Sequence, residues 1–590
     1  MSASPGRSDL IDFDQPVVLL LVTLFHFLTD EENPAGIVAT VNLLSHSEIT
    51  AFFDGFELLD PGLVQLPLWR PDRPLPTPKE PAKRGLYGGV GRKEACAARR
   101  TAVLRHFALS MTMIAMPNPS PASRRSFLSA SAAAAAAAGT SVIGGTPAAA
   151  AAATDIRPGR PATAQSPSRE LRALLREIDR DRIEATVRRL AAFGTRHTLS
   201  SQDDPQRGIG AARDWIYAEL RSYAAASGGR LSVELQSYVQ EPASRIPAAT
   251  RITNVVATLR GSIAPDRVYV VSGHYDSRCS DVMDATSDAP GADDDASGVA
   301  VAMELARVLS ARPSEATIVF AAVAGEEQGL YGAAHMAGVF KAAGTDVQAM
   351  FTNDIIGSAT ADNGTRDPYA IRLFAEGVPT AETTEQANTR RSVGGENDSP
   401  SRQLGRFVRD VAVNDSTGMD VRVIYRRDRY LRGGDHIPFL QQGYPAARFT
   451  EPHEDYAHQH QDVRVENDKQ YGDLPEFCDF DYITRVARVN GAALWTLAQA
   501  PGTPLDVRIR TASLSNSTEL VWTAGTEPDL AGYEVVWRDT TAPEWTHVIP
   551  VGDTTSYTLD LSKDNAFFGV RAVDREGHRS PVAFPVPSAS

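Results

Sequence analysis

Several residues in the middle of the chain could do chemistry together. His274 and Asp276 stand in VSGHYDS, Asp293, Asp294 and Asp295 in PGADDDASG, and Glu326 and Glu327 in AGEEQGLYGA. Further on come Asp354 in FTNDIIG, and His458 and His460 in EDYAHQHQD. Imidazole nitrogens and carboxylate oxygens are the ligands of a catalytic metal site that keeps one position open for water. Two metals about 3.5 Å apart need a ligand that bridges them, and a carboxylate has two oxygens to do it. The inventory suits two His, three metal-bound carboxylates and one spare Glu. Side chains of neighbours diverge, so Glu326 and Glu327 should have different jobs. If Glu327 is a ligand, Glu326 is placed to take a proton from metal-bound water, whose pKa a metal lowers toward ~7.

Apolar runs must position these residues. Val268–Val271 delivers His274 and Asp276, Thr317–Val323 delivers Glu326 and Glu327, and a run over 347–353 ends at Asp354. In open α/β sheets, ligands bind outside the carboxyl ends of the strands. Helical spacing marks Ser168–Phe193 and Ala211–Ala225, and strand patterns mark Leu231–Val239 and Ile252–Leu259. Strands 267–273, 317–323 and 347–353 then alternate with helices 297–310 and 329–342. The expected fold is α/β, a mostly parallel mixed sheet with helices on both faces. Residues 358–420 read as polar, with the loop-like run SVGGENDSPS near 400, Val421–Tyr425 as a strand, GGDHIPFLQQGYPAARFTE as a short helix, turn and strand, and Ile483–Ala500 as a closing helix. The acidic turn can also cap helix 297–310, and the Glu pair suits the first turn of a helix.

The 590 residues leave room for more than one domain, and 42% hydrophobic content allows a sizeable core. The net charge of -14, with no strongly basic stretch in the main body, argues against nucleic-acid binding. Three cysteines, Cys96, Cys279 and Cys478, are too few for a disulfide framework; a Cys279–Cys478 bridge stays open. Residues 1–115 do not read like the rest, and Val17–Leu28 is too short to span a bilayer. Residues 116–153 carry Arg124 and Arg125 before Phe127 and Leu128, then an Ala-rich segment, resembling a twin-arginine export signal. Such signals open a protein, so the expected start is Met111, Met113 or Met116, with 1–115 a mis-assigned or disordered extension. A globular domain is expected over 154–501, and short alternating strands over 503–590 fit a small all-β sandwich. There LVW, GYEVVWR and VRAVDREGHRS resemble a fibronectin type III domain.

GHYDS, PGADDDASG, GEEQGLYGA, NDIIG and HQHQD, in this order, resemble the secreted zinc aminopeptidases with two co-catalytic metals, a family that includes glutamate carboxypeptidase-like members. The resemblance covers roughly residues 170–500. It implies two zinc ions, one held by His274 and Asp354, the other by Glu327 and His458, with Asp294 bridging. Glu326 would be the general base, and Asp276 would accept a hydrogen bond from His274 and fix its tautomer. A cis peptide is implied at Asp294–Asp295. His460 competes with His458, which is preferred because Asp462 follows it by four. Many relatives have a Tyr directly before the last His ligand; here Ala457 stands there, with Tyr456 one place back. His436 in GGDHIPF matches a family motif without being assigned as a ligand. The implied function is an exported exopeptidase, first an aminopeptidase acting on peptides or proteins, without stable membrane insertion after export. The alternatives are a carboxypeptidase or dipeptidase, for which Arg426, Arg427, Arg429 and Arg432 could meet a substrate carboxylate, and a non-catalytic binding or adhesive module.

Overall fold

A computed structural model describes residues 157–512 and 514–588, together with the backbone of four short strands nearer the N-terminus. Those four, Val17–Leu20, Glu57–Leu58, Val64–Gln65 and Tyr87–Arg92, pair antiparallel in a separate unit, Met1–Gly145. The twin-arginine stretch and the expected start sites lie outside the described residues.

The second unit is built on one eight-stranded sheet. Its strands are β1 Leu231–Gln240, β2 Thr250–Leu259, β3 Ala264–His274, β4 Ala316–Val323, β5 Asp346–Asn353, β6 Ala370–Phe374, β7 Asp420–Ile424 and β8 Ala446–Thr450. The order across the sheet is β7-β6-β8-β5-β3-β4-β2-β1. Pairing is parallel through β8, β5, β3 and β4 and again at β6–β7. It is antiparallel at β6–β8, β4–β2 and β2–β1. The sheet is thus mixed, with a parallel centre and antiparallel pairing toward both edges.

The central strands are continuous apolar runs because both faces are covered. Side chains alternate between the faces. Tyr269 and Val271 of β3, with Ile318, Phe320 and Ala322 of β4, join the core beneath helices Ile209–Ala226, Ser297–Leu309 and Phe480–Gln499. Val268, Val270, Val319, Ala321 and Val323 face the other way, toward Met336 and Ala337 of helix Tyr331–Ala343 and Phe439 of helix His436–Gln441. The segment 358–420 is richer than its polarity indicated. It holds β6 and helices Thr384–Val393 and Pro400–Ala412. The first helix carries a capping box from Thr383 and Gln386, and the second is capped by Ser399 with Pro400 opening it.

Beyond residue 501 lie two four-stranded sheets. Leu520, Trp522, Tyr533, Val535, Trp537, Leu559, Phe568 and Val570 share one hydrophobic cluster there. One strand of these sheets comes from far upstream: Arg160–Pro161 pairs with His547–Val548, and Trp537 Nε1 donates to the Pro158 carbonyl at 2.8 Å. Residues 158–161 therefore pack with the C-terminal sheets, not with the domain in which their sequence position puts them. A strand of two residues carries no periodicity that could announce it.

Asp398 ties the sheets to the larger body. It bonds Arg406 at 2.8 Å and Arg538 at 2.7 Å, and all three side chains are buried. Asp398→Ala would leave two buried guanidinium groups without their carboxylate. The expected loss is about 3–5 kcal/mol, read as a lowered denaturation midpoint; a loss below about 1 kcal/mol would show that the triad is solvated.

Candidate metal centre and active site

The site forms where β3, β4 and β5 end. The approach of β3 to helix Ser297–Leu309 sets its first part. A Cβ on Gly273 would lie 2.4 Å from Gly298 C and Val299 N, and one on Gly298 would lie 2.2 Å from the Asn353 carbonyl oxygen. Only glycine fits at these contacts, which explains the Gly of GHYDS and of ASG. Asp295 fastens the junction, its Oδ2 accepting from His274 N and its Oδ1 from Gly298 N, both at 2.9 Å. Asp473 Oδ1 and Oδ2 accept from the backbone N–H groups of Asp293 and Asp294 at 2.7 and 2.8 Å. Asp293 Oδ1 accepts from Gly357 N at 2.6 Å. The Asp294–Asp295 peptide is cis. Asp293 and Asp295 thus support the turn, which leaves Asp294 free to face the site.

Asp294 lies between two histidines. Its Oδ1 is 3.0 Å from His274 Nε2, and its Oδ2 is 2.8 Å from His460 Nε2. His274, Glu326 and Asp354 form one group of convergent donors, and Asp294, Glu327 and His460 form another. Within each group the donor atoms lie within 4.8 Å of one another. Glu327 Oε1 is 3.0 Å from His460 Nε2. Glu326 and Glu327 diverge as neighbours should, Glu327 being buried toward the second group and Glu326 half-buried toward the first.

The structure brings together His274, Asp294, Glu326, Glu327 and Asp354, and it corrects the last histidine. His458 stands apart, with its Nδ1 3.2 Å from Asp455 Oδ2 and its ring stacked on Phe477 at 3.5 Å between centroids. Asp462, whose spacing favoured His458, instead exchanges hydrogen bonds with Ser280. His460 has φ 50°, a left-handed backbone turn uncommon outside glycine, and its ring faces Asp294 and Glu327. No spacing rule reveals such a turn. Asp276 also differs in detail. Its carboxylate Oδ1 is 3.7 Å from His274 Nδ1, beyond hydrogen-bond reach, and its backbone carbonyl is the nearer acceptor at 3.1 Å. The carboxylate instead accepts from Glu326 N, Glu327 N and Thr198 Oγ1 at 3.3, 3.1 and 3.0 Å. It seats the Glu pair at the start of its short helix, Glu326–Gly329.

Some contributors carried no readable signal. Arg196 is fully buried and donates to the carbonyls of Tyr275, Leu190, Pro290 and Gly291, tying the residues that lead into the acidic turn to the end of β3. Arg448 Nη2 lies 2.7 Å from Asp354 Oδ1. Asp435, beside His436 in GGDHIPF, is completely buried with no hydrogen-bond partner for either carboxylate oxygen among the described residues. Burial, with Asp276 and Asp354 nearby, pushes it up to about 7 even though His274 and Arg448 oppose the rise. Asp435 is the Asp of GGDHIPF; its neighbour His436 turns away, its Nε2 binding the Arg427 carbonyl at 2.9 Å.

The electrostatics show a surplus of negative charge. Burial pushes Glu326 well above the usual carboxylate range, helped by Asp354 and Glu327 and opposed by His274. Asp293 and Asp295 are likewise raised by burial and by neighbouring carboxylates. Burial works against the charged form of His274, but Glu326, Asp276 and Asp294 outweigh it and push the imidazole well up. For His460 burial is again outweighed, by Glu327 and Asp294, and the group rises to about 10. A buried anionic cluster of this kind favours divalent cations. The donor set fits zinc, and His274 Nε2, His460 Nε2 and Glu327 Oε1 are buried atoms without a hydrogen-bond partner among the described residues.

The profile described as peptidase family M28 matches residues 254–471, which contain every donor named above. A "Probable zinc metalloprotease" of Leptosphaeria maculans is 57% identical over 422 residues, covering 72% of this chain and 98% of the relative. The chain belongs to peptidase family M28. Another "Probable zinc metalloprotease", from Pyrenophora teres f. teres, is 54% identical to this M28 chain over 426 residues, 72% of the chain and 88% of the relative. Among solved structures, the LapA aminopeptidase of Legionella pneumophila is 19% identical, with a TM-score of 0.40 over 56% of this chain and 75% of that one. Residues 1–44 and 39–94 match a profile described as S-adenosyl methyltransferase, outside the M28 region. Among the described residues no helix is long and apolar enough to cross a membrane.

Proposed function

We propose that this M28 chain is an exported aminopeptidase with two zinc ions, which removes N-terminal residues from peptides or proteins. One observation carries the two-metal reading: the two oxygens of Asp294 face different histidines, each accompanied by a further carboxylate. His274 and Asp354 would hold one ion, Glu327 and His460 the other, with Asp294 shared. When bound, the ions would polarise the scissile carbonyl and acidify a water.

The protein's own groups would do the rest. Glu326 is half-buried at the start of its helix and faces the first donor group, the position for taking a proton and later returning it to the leaving amine. Glu326 and Asp354 supply negative charge for a free substrate ammonium. Three of the four arginines that a carboxypeptidase would use are already engaged. Glu454 binds Arg429 at 3.4 Å and Arg432 at 2.5 Å. Arg426 lies over the Tyr430 ring at 3.7 Å. This favours recognition of an amine over recognition of a carboxylate. On a panel of paired substrates, acylating the α-amine is expected to abolish hydrolysis, whereas amidating the C-terminus is expected to leave it intact. The opposite pattern would overturn the aminopeptidase reading.

Export rests on Arg124, Arg125 and the Ala-rich segment after them. N-terminal sequencing of secreted protein should give a start beyond Ala130, and a start upstream of it would refute this route. For the C-terminal sheets we propose a fibronectin type III-like spacer or docking unit, supported by the apolar cluster around Trp522, Tyr533 and Trp537.

A further inference from the structure

The two histidines facing Asp294 are backed by opposite chemistry. His274 Nδ1 faces acceptors, the Asp276 carbonyl at 3.1 Å and its carboxylate at 3.7 Å. A proton on Nδ1 therefore suits that ring and leaves the Nε2 lone pair for a metal, the usual arrangement of a ligating imidazole. His460 Nδ1 instead lies 2.5 Å from Arg278 Nη2. A guanidinium has donors and no acceptor. In this contact Nδ1 must present its lone pair, so the proton of a neutral His460 sits on Nε2, beside Asp294 Oδ2 and Glu327 Oε1. That tautomer offers the site an N–H where ligation needs a lone pair.

The same guanidinium also binds Glu327: Arg278 Nε donates to Glu327 Oε2 at 2.9 Å. Its Nη1 donates to the Cys279 carbonyl at 3.2 Å. Arg278 thus holds both residues of the second donor group that Asp294 does not supply, and it brings the positive charge that a divalent ion would bring there. Arg448 touches Asp354 in the first group, but no histidine of that group has a cation behind it.

We propose that Arg278 is a positioning residue that acts as an internal counter-cation. It holds Glu327 and His460 in place and must release His460 Nδ1 before that imidazole can ligate through Nε2. The second metal position is therefore the weaker of the two, and its occupancy is tied to the swing of Arg278. Cells with little available zinc would leave it unfilled first.

This inference rests on the two-metal reading, and a zinc titration separates the two. Metal-stripped protein is titrated with Zn²⁺ against a chromophoric chelator, with bound zinc counted by mass spectrometry. Wild-type protein should bind two ions with distinct affinities; binding fewer than two would overturn the two-metal reading itself, before any variant is compared. Arg278→Gln offers an amide oxygen to a protonated Nδ1 and an amide N–H to Glu327. It should tighten the weaker affinity at least tenfold and leave the tighter one, on His274 and Asp354, unchanged. The unchanged affinity doubles as a check that the variant folds. Arg278→Met removes the charge without adding an acceptor and should tighten it less. If both substitutions leave the weaker affinity unaltered or loosen it, Arg278 only orients Glu327 and the proposal is wrong.

Discussion

Glu326→Gln is expected to lower kcat by about 10²–10⁴-fold, the range a positioned general base contributes, while zinc content stays at the wild-type value. The amide keeps the size of the side chain and removes only its capacity to take a proton. The fold should tolerate the change. The Glu326 backbone N–H, which donates to Asp276, is untouched, and the neutral amide suits a position where burial already disfavours a carboxylate. KM should move little, because the loss falls on the chemical step. Retention of full activity would remove Glu326 from the mechanism. Loss of zinc together with activity would make it a ligand rather than a base.

The histidine pair gives the second large effect. His460→Ala removes the imidazole that faces both Asp294 and Glu327. Loss of outer-shell partners alone costs about 10–100-fold in metal affinity, and loss of a ligand should cost more. The variant is expected to retain no more than one zinc per chain and to lose most of its activity. His458→Ala should retain both. It gives up a stacking contact with Phe477, worth about 0.5–1.5 kcal/mol of stability. Measuring zinc and activity in the two variants side by side decides between them; an inactive, zinc-depleted His458→Ala with a normal His460→Ala would restore the assignment drawn from spacing.

That assignment marks the limit of what the sequence made legible. The strands that deliver His274, the Glu pair and Asp354 were readable because they are buried on both faces and so are unbroken apolar runs. The close contact of strand with helix that requires glycine at 273 and 298 is visible only in the structure. The histidine choice failed because it depends on one left-handed residue in a loop. Arg278, Arg196, Asp473 and Arg448 were invisible for a related reason. Each acts on residues distant in sequence, from Arg278 reaching Glu327 to Asp473 holding the turn at Asp293. Helices Thr384–Val393 and Pro400–Ala412 were missed because polarity outweighed their capping residues, and the strand at Arg160–Pro161 because its partner lies near residue 547.

The most direct test of the two-metal centre is an anomalous difference map from crystals of zinc-loaded protein. Two peaks are expected about 3.5 Å apart, one bonded to His274 and Asp354, the other to Glu327 and His460, with a different oxygen of Asp294 on each. A single peak, or a second peak bonded to His458 instead of His460, would contradict it.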